Sequence, residues 1–205
     1  MTRDNSNKII LDLCGGTGAW SKPYKDAGYD VRIITHPEYD LFTWDDYWNW
    51  IDRVYGILFA PTCTHFSLAR TTAKTPRNLS GGMRLVKRGL EIIEHCRIHG
   101  GLKFWALENP VGYLRQLLGK PPLTFHPCDY GANYTKRTDL WGYYNFPKKK
   151  VRELTPEEKA KCTINNRDLP QLPEGYALPD GFRPQQARRS MTDEHFALAF
   201  YKANK

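Results

Sequence analysis

The first half of the chain alternates short apolar runs with segments of helical character, and this alternation constrains the fold most strongly. The apolar runs, each predicted to be a buried strand, occupy residues 8–14, 30–36, 55–61 and 102–110. The intervening segments predicted to be helical are residues 19–28, 45–54 and 81–99. Strands that alternate with helices form a mostly parallel sheet with helices on both of its faces, so an α/β fold is predicted.

The second half has little periodicity and is rich in Pro, Lys and Gly between residues 147 and 184. A short helix is predicted there, with Thr155 as its cap and Pro156 at its first position. A closing helix capped by Thr192 is predicted at the end. These features divide the chain into a main domain over residues 1–146, an irregular segment over 147–187 and a C-terminal helix over 188–205 that packs back on the main domain.

The formal net charge of +8 over 205 residues favours a polyanionic partner, although basic charge also serves solubility alone. The five cysteines are odd in number and widely spaced, so no disulfide framework is predicted. A zinc site built from His126, Cys128 and Cys162 is an alternative whose spacing fits no known pattern, and no metal is predicted. Neither a signal segment nor a membrane-spanning run is present, so a cytoplasmic location is expected.

Glycines dominate the turn between the first strand and the first helix. Gly15, Gly16 and Gly18 allow a sharp turn and a close approach of the backbone to a ligand. The pattern differs from the spaced G-x-G-x-x-G of dinucleotide folds, and it lacks the Lys of a phosphate loop. It resembles the S-adenosylmethionine (AdoMet) turn of class I methyltransferases, and a purely structural turn is the alternative.

Functional side chains follow several of the predicted strands. The carboxyl ends of parallel strands share one edge of the sheet, so Asp40, Cys63 and Glu108 are expected near the glycine turn. A thiol on a polar loop can become a nucleophile, and a carboxyl held at a strand end can act as an acid. The alternatives are a packing role for Cys63, a turn-capping role for Glu108 and a helix-capping role for Asp40.

Motifs around these residues resemble those of the DNA cytosine-C5 methyltransferases. The nucleophile motif P-P-C-x-x-F-S corresponds to residues 61–67, with Thr62 in place of the second proline. The E-N-V motif corresponds to residues 108–111, and the Q-x-R-x-R segment to residues 134–139, with Arg137 at the first arginine and Asp139 at the second. The size of the chain is similar to that of compact, phage-type members.

The resemblance implies a Rossmann-like class I methyltransferase fold, AdoMet as cofactor and DNA as partner, with residues 147–187 as a minimal target-recognition region. It implies that Cys63, Glu108 and Arg137 are catalytic. Thr35 and His36 stand where the family has a ribose-binding acid. The cofactor contacts that it implies are Asp12, Cys14, Gly15, Gly16, Thr17, Gly18, Thr35, His36, Asp40 and Pro61. The nucleic-acid contacts are Ser67, Arg70, Lys74, Arg77 and Lys136; an ordinary solvated loop is the alternative for residues 68–82.

Three functions remain open from the sequence. The leading one is AdoMet-dependent methylation of C5 of cytosine in DNA through a bond between Cys63 and C6. The second is the same chemistry on RNA or on a free pyrimidine nucleotide. The third is a degenerate module that binds nucleic acid or protein without catalysis.

Overall fold

The computed structural model describes residues 4–68, 70–71, 73–150, 154–161, 169–178 and 182–205. Within this part of the chain a single sheet has its strands in the order β2-β1-β3-β4-β6-β5. The strands are β1 (Ile9–Leu13), β2 (Asp30–Ile34), β3 (Val54–Phe59), β4 (Phe104–Pro110), β5 (Leu123–Phe125) and β6 (Thr138–Tyr143). The first four strands pair in parallel, whereas β6 runs antiparallel to both of its neighbours.

The helices surround this sheet. They are α1 (Lys22–Asp26), α2 (Leu79–His99), α3 (Leu114–Leu118), α4 (Pro156–Lys161), α5 (Pro184–Ser190) and α6 (Glu194–Ala203), with 3-10 turns at Asp46–Arg53 and Pro127–Tyr130. The long helix α2 matches its prediction. It begins where the Asn78 side chain accepts a hydrogen bond from the Gly81 N–H, and a stripe of its residues is buried because their spacing follows the helical period.

Three local predictions are corrected. The helix α1 begins only at Lys22, because residues 19–21 form a turn. The segment predicted as a second helix is a 3-10 helix with a non-helical kink at Trp50. The cap of α6 is Asp193 and not Thr192, since the Asp193 carboxylate accepts from the N–H groups of His195 and Phe196.

Apolar side chains cover both faces of the sheet. On one face Val86, Ile92 and Cys96 of α2 pack with the buried side chains of Ile9 and Leu11. On the other face Phe196 and Phe200 of α6 pack with Ile10, Leu58 and Ala106. Burying one such large apolar side chain contributes about 1.5–3 kcal/mol. The prediction of helices on both faces is confirmed.

The strands β5 and β6 were not predicted. Their pairing places Glu108 opposite Leu140 and Asn109 opposite Asp139. Among the described residues, no helix combines the length and the apolar character that a membrane span requires.

Candidate active site

The sheet reverses its strand order between β1 and β3. From β1 the chain proceeds to β2 on one side, and it then returns to β3 on the other side. Main-chain hydrogen bonds continue the pairing past the strand ends, from Ala60 N to Leu13 O at 3.0 Å and from Cys14 N to Ile34 O at 2.8 Å. A ligand crevice in an open α/β sheet forms at such a switch point, outside the carboxyl ends of the strands. The glycine turn and the Cys63 loop therefore flank this crevice.

The glycine turn needs its glycines for conformation and for space. Gly16 and Gly18 have φ values of 54° and 70°, in the left-handed region that disfavours a side chain. A Cβ on Gly15 would lie 2.4 Å from Cγ of Asp12, so the turn lies tightly over that carboxylate. Cys14 also adopts a positive φ, of 58°.

The Asp12 side chain is fully buried against the glycine turn. Ser21 Oγ donates to its Oδ2 at 2.5 Å, and Oδ1 has no hydrogen-bond partner. Burial raises the pKa of this carboxyl to about 7, although the hydrogen bond from Ser21 lowers it. Burial also raises the pKa of the Cys14 thiol to about 12, with a further contribution from the Asp12 charge, so Cys14 is a poor nucleophile.

The Cys63 loop is fixed at several points. The Cys63 carbonyl accepts hydrogen bonds from the N–H groups of Phe66 and Ser67, both at 2.9 Å. The Phe66 ring is buried, and its carbonyl accepts from Tyr113 N at 2.9 Å. A Cβ on Gly112 would lie only 2.1 Å from the Phe66 carbonyl oxygen, so the loop lies directly against the segment after β4.

Glu108 lies at the end of β4 and is 7% exposed. Its Oε1 lies 3.5 Å from Lys136 Nζ, and both side chains are largely buried. The buried Tyr134 lies close enough to Glu108 and Asp193 for their charges, after burial itself, to raise the pKa of its hydroxyl. Glu108 is thus paired with a cation from the segment that precedes β6, and its charge acts on a phenol from the same segment.

Cys63 responds to both members of this ion pair. Burial raises the pKa of its thiol, the Lys136 ammonium lowers it, and the Glu108 carboxylate raises it further. The Glu108 and Lys136 charges therefore both act on the Cys63 thiol, and the 3.5 Å ion pair places Lys136 beside Glu108.

The adjacent cations Lys136 and Arg137 have surroundings that differ from those implied by the resemblance. The resemblance assigned Arg137 to the base and Lys136 to a phosphate, but the cation that pairs with Glu108 is Lys136. The Arg137 side chain is exposed, and its carbonyl accepts from Val111 N at 2.9 Å. Strand periodicity could have indicated the pairing of Lys136 with Glu108, because side chains two residues apart in a strand face the same side. Lys136 and Thr138 precede Leu140 by four and two residues, and Leu140 pairs with Glu108.

Asp139 forms an ion pair away from the thiol. It is fully buried, and Arg115 donates to its two oxygens from Nε and Nη2, each at 2.5 Å. Thr124 Oγ1 donates to the same carboxylate at 2.7 Å. Asp139, which stands where the family has its second arginine, therefore connects α3 and β5 to β6.

The predicted nucleic-acid contacts have varied surroundings. Arg77 Nη1 donates to His65 O at 3.0 Å, and its guanidinium lies over the Tyr113 ring at 4.9 Å, so it braces the Cys63 loop. Arg70 Nη2 donates to Thr75 Oγ1 at 2.6 Å, and Lys74 is exposed. Ser67 forms a β-bridge with Gly112.

The predicted cofactor residues lie along the β1 and β2 ends of the crevice. Thr35 and His36 directly follow β2, and Pro61 is buried two residues after β3. Thr17 is half-buried inside the glycine turn, and Asp40 is exposed, with its Oδ1 accepting from Phe42 N at 3.0 Å. This contact lies in the turn at residues 41–43, and the helix that follows begins at Asp46 with Asp45 as its N-cap, so Asp40 does not cap that helix.

Tyr176 is a residue at this site that the sequence did not reveal. Its hydroxyl would lie 3.9 Å from a Cβ on Gly16, nearer than any other atom outside the turn in the part of the chain that the structure describes. Two hydrogen bonds from the Arg188 guanidinium, to Leu169 O at 2.6 Å and to Pro170 O at 2.8 Å, anchor the segment that carries Tyr176. Part of the predicted target-recognition region therefore borders the glycine turn.

No cluster of three metal-ligating side chains occurs in the described part of the chain. Cys162, one member of the alternative zinc site, lies outside the described residues. Cys14, Cys63, Cys96 and Cys128 form no disulfide bond with one another.

The sheet order and the antiparallel β6 between β4 and β5 define an α/β fold of the Rossmann-like class I methyltransferase type, as predicted. A triple mutant of Spodoptera frugiperda DNMT2 has a similar structure, with a TM-score of 0.50 at 12% sequence identity. The match covers 96% of this chain and 99% of that chain. No protein-family model and no curated protein matches the sequence. The structural likeness shows the fold, and the function is inferred from the site.

Proposed function

We propose that the protein transfers a methyl group from AdoMet to C5 of cytosine in DNA, through a covalent bond between Cys63 and C6 of the base. One observation carries this proposal. A 2.9 Å hydrogen bond from Asn109 Nδ2 to Pro61 O joins the end of β4, which carries Glu108, to the loop that carries Cys63, beside a turn that requires glycine. A nucleophile, an acid and a close-approach turn are the parts that this chemistry needs.

The residues of the glycine turn fit AdoMet. Among the described atoms outside the turn, the Tyr176 hydroxyl is the one that lies within 4 Å of a Cβ built on Gly16, so a ligand can approach the backbone there. Gly15 to Gly18 would hold the methionine part, and the exposed Asp40 would accept a hydrogen bond from the adenine edge. Asp12 would act indirectly, because its carboxylate is buried beneath the turn.

The side chains of the chain have distinct roles in the proposed reaction. C5 of cytosine is weakly nucleophilic, and addition of the Cys63 thiolate to C6 makes it enamine-like. A protonated Glu108 donates to N3 and assists that addition. AdoMet supplies the methyl group that C5 takes up. Loss of the C5 proton to solvent water and elimination of the Cys63 thiolate then restore the aromatic ring, and the N3 proton returns to Glu108.

Charge supports a polymeric substrate. The net charge is +8, and Arg70 and the exposed Lys74 lie on the loop after Cys63. A cytosine in a duplex must be flipped out of the stack before a thiol can reach C6, and this costs a few kcal/mol. An unpaired cytosine is therefore expected to be the better substrate.

The test is covalent trapping with an oligomer that contains 5-fluorocytosine. Fluorine replaces the proton that must leave C5, so the reaction stalls with Cys63 bonded to C6 after the methyl group has been transferred. The oligomer is prepared as DNA and as RNA and incubated with AdoMet and either the wild type or Cys63→Ala. A denaturing gel then reveals the adduct.

An adduct on DNA that requires both AdoMet and Cys63 supports the proposal. An adduct on RNA alone replaces DNA by RNA as the substrate. The absence of an adduct on both polymers, from folded protein that binds AdoMet, overturns the proposal and leaves a free nucleotide or a non-catalytic role.

A further inference from the structure

We infer that Lys136 is a shared counterion that allows a single proton to pass from the Cys63 thiol to the Glu108 carboxylate. The inference deepens the proposed function and rests on it for its chemical purpose. Its structural basis is twofold. The Lys136 Nζ and Glu108 Oε1 atoms form an ion pair at 3.5 Å between largely buried side chains, and a hydrogen bond of 2.9 Å from Asn109 Nδ2 to Pro61 O joins the end of β4 to the start of the Cys63 loop.

The backbone holds Lys136 in this place. Thr138 Oγ1 donates to the Lys136 carbonyl at 2.9 Å, and Val111 N donates to the carbonyl of the following residue at 2.9 Å. The second of these bonds connects the segment before β6 to the segment after β4. The Lys136 ammonium is therefore fixed by the same strand pair that fixes Glu108.

The proposed reaction needs Cys63 as a thiolate and Glu108 as an acid. The structure instead shows Glu108 paired with an ammonium, as an ionised carboxylate would be. Moving one proton resolves this difference: the S–H bond of Cys63 breaks, sulfur keeps the electron pair, and an O–H bond forms on Glu108. The thiolate and the acid then arise together, and no other proton donor or acceptor is required.

Lys136 keeps this transfer neutral overall. Before the transfer the ammonium faces a carboxylate and a thiol, and afterwards it faces a carboxylic acid and a thiolate. The sum of the charges is zero in both states, so the partly buried site never holds an uncompensated anion. The Lys136 charge lowers the pKa of the Cys63 thiol, which is the direction that this role requires.

Other charged or titratable groups face the pair from the neighbouring elements. Tyr134 comes from the segment that carries Lys136, and Asp193 and Glu194 at the start of α6 act on Tyr134. The pKa of Tyr134 is raised, so this phenol stays protonated and adds no charge. Among the described residues, Lys136 and Glu108 are the charged side chains that act on the Cys63 thiol.

The test measures the pH dependence of Cys63 alkylation by iodoacetamide in the free protein. Neither AdoMet nor nucleic acid is present, so this assay is independent of the trapping experiment. Mass spectrometry of the Cys63 peptide separates this thiol from the other cysteines. The proteins are the wild type, Lys136→Met, Lys136→Arg, Glu108→Gln, the double variant that combines Lys136→Met with Glu108→Gln, and Arg137→Met as the control for a neighbouring exposed charge.

Lys136→Met is expected to raise the midpoint of the thiol titration and to slow alkylation at neutral pH roughly fivefold, the factor expected for loss of a partly screened charge. Lys136→Arg restores the midpoint. Glu108→Gln lowers the midpoint of the thiol titration. This variant removes the carboxylate charge that disfavours the thiolate, and the Lys136 ammonium then interacts with the thiolate alone. Arg137→Met leaves the midpoint nearly unchanged.

The double variant covers the case in which Lys136→Met fails to fold, because it leaves no buried carboxylate unpaired. Its thiol midpoint is expected above that of Glu108→Gln alone. An unchanged midpoint in Lys136→Met, or equal midpoints in Glu108→Gln and the double variant, overturns the inference. These outcomes do not depend on whether the fluorinated oligomer forms an adduct.

Discussion

The Asn109 side-chain amide donates a buried hydrogen bond of 2.9 Å to the main-chain carbonyl of Pro61. It connects the end of β4 to the start of the Cys63 loop, across residues that are 48 positions apart in sequence. Glu108 precedes Asn109, and Cys63 follows Pro61 by two residues. The bond therefore sets the spacing between the proposed acid and the proposed nucleophile.

Replacing Asn109 by Ala removes this bond and leaves the Pro61 carbonyl without its partner. We expect the free energy of unfolding to fall by about 1–3 kcal/mol, the cost of an unsatisfied buried polar group. We also expect a loss of kcat in the methylation assay that exceeds any change in KM. Urea unfolding and steady-state kinetics measure the two effects. Asn49→Ala, at an exposed position, is the control, and equal stability losses in the two variants would contradict this account.

Gly112→Ala is expected to displace the Cys63 loop. The new Cβ would lie 2.1 Å from the Phe66 carbonyl oxygen, which is backbone and cannot rotate away. We expect a lower melting temperature and altered Cys63 alkylation, with AdoMet affinity retained because the glycine turn is untouched. In the control Gly101→Ala the Cβ would lie 3.4 Å from the Asp52 carbonyl oxygen, at ordinary contact distance. Normal alkylation in Gly112→Ala would show that the loop does not depend on this contact.

Gly16→Val is expected to abolish AdoMet binding as measured by calorimetry. Gly16 has a φ of 54°, and its Cα faces the space assigned to the cofactor. Gly28→Val is a control for backbone strain, because Gly28 has a φ of 82° and no atom near its Cβ position. If the two variants lose the same amount of affinity, strain rather than steric exclusion explains the loss.

The buried Asp12 makes stability fall as pH rises. Its pKa is raised from 3.8 to about 7 in the folded state, so the folded protein binds the proton more tightly than the unfolded chain. The resulting stabilisation is complete below pH 3.8 and is lost as the pH rises through about 7. Asp12→Asn, which still accepts from Ser21, should remove this dependence and be more stable than the wild type at neutral pH.

The measurement for Asp12 is the free energy of unfolding in urea at a mildly acidic and a mildly alkaline pH, without ligand. Other carboxyl groups also titrate, so the difference between wild type and variant is compared at the two pH values. Asp26→Asn removes an exposed carboxylate that pairs with Lys22 and serves as the control. A pH dependence in Asp12→Asn equal to that of the wild type would count against the raised pKa.

Removing Arg115 leaves the buried Asp139 carboxylate with Thr124 as its remaining partner. The Arg115 side chain is 31% exposed, so water partly compensates, and we expect Arg115→Ala to lose about 2–3 kcal/mol of stability. The titration of the Cys63 thiol should remain as in the wild type, because this ion pair lies away from the thiol. Arg97→Ala, which removes an exposed pair with Glu94, should leave stability nearly unchanged. A shifted Cys63 titration in Arg115→Ala would show that the Asp139 charge acts on the Cys63 thiol.

The sequence predicts the parts of this site that depend on local pattern. The apolar runs over residues 8–14, 55–61 and 102–110 predict strands, and the parallel arrangement then brings Cys63, Glu108 and the glycines to one edge. Lys136 depends on β6, whose place between β4 and β5 is fixed by tertiary pairing and not by its own composition. The cap of α6 was missed by one residue, because Thr192 and Asp193 are both good caps and packing decides between them.

The position of β6 in the chain also determines when the site can form during protein synthesis. A ribosome releases Cys63 and Glu108 long before residues 138–143, yet β6 must insert beside β4 before Lys136 can approach either side chain. Until then the Glu108 carboxylate lacks the ammonium with which it pairs, and the thiol lacks the one charge of this pair that lowers its pKa. The charge cluster is therefore assembled only after the ribosome has synthesised β6, although two of its three members are made much earlier.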